Sequence, residues 1–232
     1  MSYFDFKQFR IYHDKCAMKV GTDAVLLGAW CPIMNSRRIL DIGTGSGVIA
    51  LMLAQRTDAS IVGVELDKDA AVQAQENAQR SKFSSRVQVV HSNIVHYKPE
   101  EKFDLIVSNP PFFSSSLISP NKQRSLARHA DTLPLESLAK AAYQLLELDG
   151  LFCVILPNDV ADKFVYICIV NHFTPIKIVS VLTTITKPCK RKLLCFKKGV
   201  HPDHLLCETL VLTTNNGQRS DAYNKLTEDF YL

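Results

Sequence analysis

The spacing of apolar and polar positions changes period several times along the chain. Between Tyr3 and Tyr12, Phe4, Phe6, Phe9 and Ile11 interleave with Asp5, Lys7 and Arg10, which predicts a strand or hairpin. Ala24 to Trp30 has helical propensity, with Thr22 or Asp23 as its N-cap and Cys31-Pro32 as its stop. Beyond it, short apolar runs alternate with segments of helical spacing. Strands are predicted over 38–42, 61–65, 87–91, 103–108 and 151–156. Helices are predicted over 46–55, 68–80, 134–146 and 160–171. Such alternation implies a parallel sheet covered on both faces.

The last third changes character. Segments 176–184, 192–198 and 208–213 are rich in β-formers with no helix between them, so antiparallel pairing at one sheet edge is expected, followed by a closing helix over 220–230. Residues 113–131 are long, polar and interrupted by Pro120, which reads as a lid or a disordered loop. No repeat, low-complexity tract or linker divides the chain. One domain is expected over 1–232, with 1–30 as an N-terminal extension and 31–232 as the catalytic core.

Composition narrows the class. Of 232 residues, 47% are hydrophobic and 22% charged, ordinary values for a soluble domain. A net charge of +4 is compatible with a nucleic-acid partner without demanding one. The seven cysteines show no C-x-x-C spacing and mostly lie in apolar runs, which argues for a reducing compartment and against disulfides or zinc. The N-terminus is polar from the start, and no apolar run approaches a membrane span. A cytoplasmic monomer without metal is expected.

Two stretches carry candidate chemistry. Asp41-Ile42-Gly43-Thr44-Gly45-Ser46-Gly47 leaves the first core strand and opens its helix. Glycines at 43, 45 and 47 allow a tight turn and close approach of a ligand, which the helix N-terminus would meet with free amides. Glu65 ends the next strand, where an acidic side chain can hold both hydroxyls of a ribose. The dinucleotide pattern needs a third glycine where this chain has Val48. A carboxylate at Asp41 would repel a pyrophosphate but suits a ligand with a cationic amino group. S-adenosylmethionine, with an amino group, a sulfonium and a ribose but no phosphate, fits better than a dinucleotide.

The second stretch is Ser108-Asn109-Pro110-Pro111-Phe112, at the carboxyl end of the strand over 103–108. Two prolines stop the ladder and hold Asn109 in an extended, stiff exit. Alone, the stretch is equally a strand exit without chemistry.

Together, in this order, the Asp41 loop, Glu65 and Asn109 to Phe112 resemble the class I methyltransferases that modify exocyclic amino groups. Phe6-Lys7-Gln8-Phe9, the run His13 to Ala24, Arg124 with Ala127-Arg128-His129, Pro188 to Arg191, and the ending Leu226 to Leu232 are similar to the bacterial tRNA1(Val) adenine N6-methyltransferase family. The resemblance covers essentially the whole chain. It implies a Rossmann-like α/β fold: a seven-stranded, mostly parallel sheet with an antiparallel C-terminal strand and helices on both faces.

It also implies methyl transfer from S-adenosylmethionine to N6 of an adenosine in tRNA. Asn109, Pro110 and Phe112 become the catalytic residues: two carbonyls accept the amino hydrogens, and the ring stacks on the base. The expected cofactor residues are Thr22, Asp41, Gly43, Gly45, Gly47, Glu65, Leu66, Asn93, Ile94 and Asn109. Asn93 departs from the aspartate common at that position, but its carbonyl still accepts a hydrogen bond. Lys7, Arg10, Lys19, Arg124, Arg128, His129, Lys190 and Arg191 are expected to meet the RNA. Methylation of ribosomal RNA, DNA or a protein glutamine, and an RNA-binding module without turnover, are the competing readings.

Overall fold

The computed structural model of the chain describes all residues except 1, 17, 34, 112–132 and 200–203. An antiparallel hairpin of β1 (Tyr3–Asp5) and β2 (Arg10–Tyr12) precedes helix α1 (Thr22–Trp30). The alternating core follows as β3 (Arg38–Ile42), α2 (Val48–Arg56), β4 (Ser60–Glu65), α3 (Lys68–Arg80), β5 (Val87–His91) and β6 (Phe103–Ser108). It continues through α4 (Leu135–Leu145), β7 (Leu146–Pro157), α5 (Asn158–Val170), β8 (Phe173–Leu182), β9 (Arg191–Lys198), β10 (Leu206–Val211) and α6 (Asp221–Thr227).

Eight strands form one sheet in the order β10-β8-β9-β7-β6-β3-β4-β5. The mostly parallel sheet with an antiparallel strand near the C-terminus is present, with one strand more than the expected seven. The antiparallel strand is β9, which inserts between β7 and β8 and opposes both. Because β9 fills that gap, the outer edge of β8 stays open. The last strand, β10, takes it in parallel register rather than antiparallel. Chain proximity predicted the reverse pairing because it cannot see which edge is already taken.

Period-two alternation sorts the strand side chains into two cores. Ile39, Leu105, Val107, Cys153, Ile155, Leu193 and Cys195 pack beneath a layer that includes α1 and α2. Leu40, Ile42, Ile106, Phe152, Val154, Leu194 and Phe196 pack against α4 and α5 on the other face. All seven cysteines are free thiols, and Cys31, Cys153, Cys168 and Cys195 are buried as small hydrophobes. Among the described residues, no helix is long and apolar enough to cross a membrane.

The two ends of the chain meet. Phe6 stacks on Phe9 with ring centroids 4.7 Å apart and on Tyr231 at 6.2 Å. The Lys7 amide donates to the Phe230 carbonyl at 2.9 Å, and the Gln55 side-chain amide to the Asp229 carbonyl at 2.7 Å. Phe6 is buried, so Phe6→Ala should lower the unfolding free energy by about 3 kcal/mol, the range for emptying an aromatic site. Urea denaturation checks this; a loss near zero would show that the contact between the ends contributes nothing.

Candidate functional site

The carboxyl ends of β3, β4 and β6 converge, and the two candidate stretches leave from adjacent strands. Ile42 pairs with Ser108 in parallel register, so Gly43 and Asn109 start side by side. The buried Ser108 hydroxyl donates to the Ile42 carbonyl at 2.9 Å, which locks the two exits together. Asn109 is half-buried and Pro110 buried behind it. Phe112 lies outside the described residues, as do Arg124, Arg128, His129 and the segment expected to be a lid.

The glycine loop is built from left-handed backbone. Gly43, Gly45 and Gly47 have φ of 70°, 56° and 82°, which side-chain-bearing residues rarely adopt. These turns use up Ser46 and Gly47, so α2 begins at Val48 instead of Ser46, with Gly47 as its N-cap. A methyl group built on Gly43 or Gly45 would meet no protein atom within 4 Å, whereas one on Gly47 would lie 3.3 Å from the Ala74 Cβ. Gly43 and Gly45 therefore face open space, and Gly47 faces α3.

Asp41 is fully buried beneath this loop. Its Oδ2 accepts a hydrogen bond from the Thr44 hydroxyl at 2.6 Å. Its Oδ1 is buried with no partner. Burial pushes the carboxyl up to about 7; the Thr44 hydroxyl and, more weakly, the Ala50 backbone amide oppose the shift, and the charge of Glu65 adds to it. Gly63 has no room for a larger residue: a Cβ there would sit 2.8 Å from Thr44 Cγ2, so close approach of β4 holds Thr44 over Asp41.

Glu65 reaches into the loop. Its Oε2 accepts from the Gly45 amide at 2.8 Å, and its Oε1 accepts from the Leu66 and Asp67 amides at 2.8 and 3.0 Å. Three backbone donors hold the carboxylate at the mouth of the turn, two on Oε1 and one on Oε2, which leaves an acceptor site on Oε2. Leu66 is exposed beside it, and Ile94 is buried in the turn after β5. Asn93 follows β5, and one of the two lone pairs of its side-chain oxygen is engaged locally. Its side-chain carbonyl already accepts the Val95 amide at 3.0 Å, an Asx turn, so that oxygen shapes the loop after β5.

The N-terminal expectation at α1 is also revised. Gly21 is the N-cap and no side chain caps the helix; Thr22 opens it and is exposed. Asp23 is drawn away by Arg191, whose Nε lies 2.8 Å from Asp23 Oδ2. Arg191 Nη1 also donates to the Lys190 carbonyl at 3.0 Å. Arg191 pairs in register with Pro157 at the end of β7, which sets this ion pair on the edge from which Asn109 emerges. Lys190 and Lys19 are exposed. Lys7 and Arg10 are engaged within the molecule: Lys7 Nζ donates to the Glu228 carbonyl, and Arg10 pairs with Asp5 and lies 4.0 Å from the Tyr3 ring centroid.

Sequence reasoning overlooked Thr44, Ser108 and two amides of α3. Gln73 and Asn77 are buried polar residues one turn apart, on the stripe of Ala70, Ala74 and Ala78. Polar amides on the apolar stripe of a helix were the available signal. Among the described residues, no group of three or more His, Cys, Asp or Glu is placed to hold a metal ion.

The orphaned oxygen of Asp41, the open space over Gly43 and Gly45, and the acidic strand end at Glu65 fit a ligand carrying a cationic amino group and a ribose. Comparison with known proteins places the architecture. The methyltransferase small domain family matches residues 17–156. The chain is similar to the tRNA1(Val) (adenine(37)-N6)-methyltransferase of Bacteroides thetaiotaomicron, 45% identical over 232 residues, covering 99% of this chain and 97% of that one. It is 44% identical over 235 residues to the protein of the same name from Proteus mirabilis, with 99% and 93% covered. In fold it is similar to a predicted O-methyltransferase from Agrobacterium tumefaciens, with a TM-score of 0.72 at 18% identity over 90% of this chain and 96% of that one. A T. thermophilus 16S rRNA methyltransferase in complex with AdoMet and guanosine matches with a TM-score of 0.58 at 21% identity, over 85% of this chain and 50% of that one.

The buried carboxylate makes a stability prediction. A native pKa raised to about 7 means that the folded protein holds this proton more tightly than the unfolded chain does. The contribution is present below the unfolded pKa and is lost as pH rises through about 7. Asp41→Asn should therefore melt several degrees higher than the parent at pH 8, with the gap narrowing by pH 5, measured on ligand-free protein by calorimetry. An unchanged or lower melting temperature at pH 8 would contradict the burial cost.

Proposed function

From the premise that this chain belongs to the methyltransferase small domain family and to the tRNA1(Val) (adenine(37)-N6)-methyltransferase family, we propose that it methylates N6 of adenosine 37 in tRNA1(Val), working as a monomer in the cytoplasm. The observation that carries the reading is nearly full-length similarity to relatives of that name at 45% and 44% identity. Within the chain, Asn109 leaves β6 directly beside Gly43. A group held over the glycine loop would thus be within reach of a base held at Asn109.

When bound, S-adenosylmethionine supplies an electrophilic methyl group on a sulfonium. Asp41 Oδ1 is suited to its amino group, Glu65 to the ribose hydroxyls, and Gly43 and Gly45 leave room for the chain between them. Leu66 and Ile94 would flank the adenine, with Asn93 shaping the loop beside it, and Thr22 would border the methionine end. Asn109 and Pro110 act on the other partner. An aromatic amine is a weak nucleophile because its lone pair is delocalised into the ring. The Asn109 side-chain carbonyl and the Pro110 backbone carbonyl each accept one amino hydrogen and draw the nitrogen toward a tetrahedral shape. Pro110-Pro111 and the Ser108–Ile42 lock hold these acceptors rigid, so that catalysis comes chiefly from positioning. No strong base is needed, because the methylated ammonium loses its proton readily. By the family resemblance Phe112 would stack on the base and Arg124, Arg128 and His129 would meet the RNA, while the exposed Lys19 and Lys190 and the partly exposed Arg191 are suited to phosphates. An anticodon loop offers a base already partly unstacked, which lowers the cost of extruding it.

Incubating the protein with isotopically labelled S-adenosylmethionine and tRNA lacking the modification, then mapping the label, tests the reading. N6-methyladenosine at position 37 of tRNA1(Val) is expected; label confined to ribosomal RNA or protein would overturn it. In the same assay, Asn109→Ala should abolish transfer and still bind S-adenosylmethionine within about threefold of the parent, since it removes an acceptor that serves the substrate amine. Retained turnover would remove Asn109 from the mechanism.

A further inference from the structure

Asn77 joins the N-terminal hairpin to the glycine loop through one side chain. It is fully buried on α3. Its Oδ1 accepts the Tyr12 amide at 3.0 Å, and its Nδ2 donates to the Tyr12 carbonyl at 2.8 Å and to the Ser46 carbonyl at 2.9 Å. Both amide hydrogens and the oxygen are thus committed, two bonds to the end of β2 and one to the loop between Gly45 and Gly47. One turn earlier, Gln73 Oε1 accepts the Lys15 amide at 3.3 Å, which extends the same seam.

The bond to Ser46 falls where the loop cannot satisfy itself. Ser46 precedes the N-cap Gly47, so its carbonyl lies outside the hydrogen-bond ladder of α2. The next amide, on Gly47, is held by the Thr44 carbonyl at 2.8 Å. With the carbonyl drawn to Asn77 and the amide to Thr44, the peptide between Ser46 and Gly47 has one orientation. That peptide runs from Ser46 into the left-handed Gly47, whose missing side chain lowers the steric resistance to rotation. Without Asn77 the buried carbonyl would lack this partner, and the peptide would no longer be held to one orientation.

We infer that Asn77 is a positioning residue for S-adenosylmethionine: it fixes the glycine loop in its receptive shape and makes the docked N-terminal hairpin part of the cofactor site. The inference rests on the reading that S-adenosylmethionine occupies this loop. Asn77 does not itself touch the ligand in this account. It acts through Ser46, and the hairpin acts through Asn77. The aromatic contacts that seat Phe6 against Phe9 and Tyr231 extend this support to the end of the chain.

The test is S-adenosylmethionine binding by calorimetry, with steady-state kinetics alongside. Asn77→Ala should raise the dissociation constant and KM for S-adenosylmethionine about tenfold or more, the loss expected when a buried carbonyl loses its partner. At saturating cofactor, kcat should change less than about threefold. Phe164→Leu, in the opposite core, is the control for stability: it should lower the melting temperature and leave the dissociation constant unchanged. Should Asn77→Ala fail to fold, hydrogen exchange on the unaltered protein decides. Coupling between sites is reciprocal, so S-adenosylmethionine should slow exchange of the Tyr12 amide, which bonds to Asn77. An unchanged dissociation constant in a folded Asn77→Ala, or a Tyr12 amide indifferent to bound S-adenosylmethionine, would overturn the inference. Failure of the unaltered protein to bind S-adenosylmethionine would instead overturn the reading beneath it.

Discussion

The half-satisfied carboxylate of Asp41 is the constraint on which the site depends. A fully buried acid with one oxygen bonded to Thr44 and the other without a hydrogen bond of normal geometry costs folding free energy. The fold sustains it with ordinary means on every side. Apolar packing along β3 holds Ile39 on the same face, and the missing side chain of Gly63 lets Thr44 close over Asp41 from β4. Only a partner with a hydrogen-bond donor, best a cation, would complete the arrangement. On the proposed reading, a cost at Asp41 in the free protein would become selectivity for the cationic amino group of the ligand.

The other parts of the site follow from how parallel strands end. β3, β4 and β6 lie side by side, so their exits present Gly43, Glu65 with Leu66, and Asn109 along one edge. Each exit carries its own device for holding shape: left-handed glycines after β3, three backbone donors on Glu65 after β4, and two prolines after β6. The Ser108–Ile42 bond joins the first exit to the last, and Asn77 joins the first exit to the N-terminal hairpin. A loop set from three directions can bind a flexible ligand without a large ordering cost of its own.

Much of this could be read in the amino-acid chain. The period of the apolar runs disclosed the alternating core, and Asp41, the three glycines, Glu65 and Asn109 stood out because each residue type has a physical reason to be at a strand end. What could not be read depended on neighbours distant in sequence. β10 lies parallel to β8 because β9 already occupies the inner edge, a fact of sheet order that local spacing does not contain. Thr22 and Asp23 were both plausible caps until Arg191, far along the chain, claimed Asp23. The burial of Asn77 depends on the hairpin lying against α3, which the local spacing over 68–80 does not contain.

The most direct measurement concerns the unpartnered oxygen of Asp41. Dissociation constants would be compared at pH 8 for S-adenosylmethionine and for its analogue lacking the α-amino group, with the unaltered protein and with Asp41→Asn. The unaltered protein should hold S-adenosylmethionine about tenfold or more tightly than the analogue, a charge-assisted bond's worth of preference, and Asp41→Asn should lose most of that preference. Equal binding of the two ligands by the unaltered protein would contradict the claim that this carboxylate is kept buried for a cationic partner.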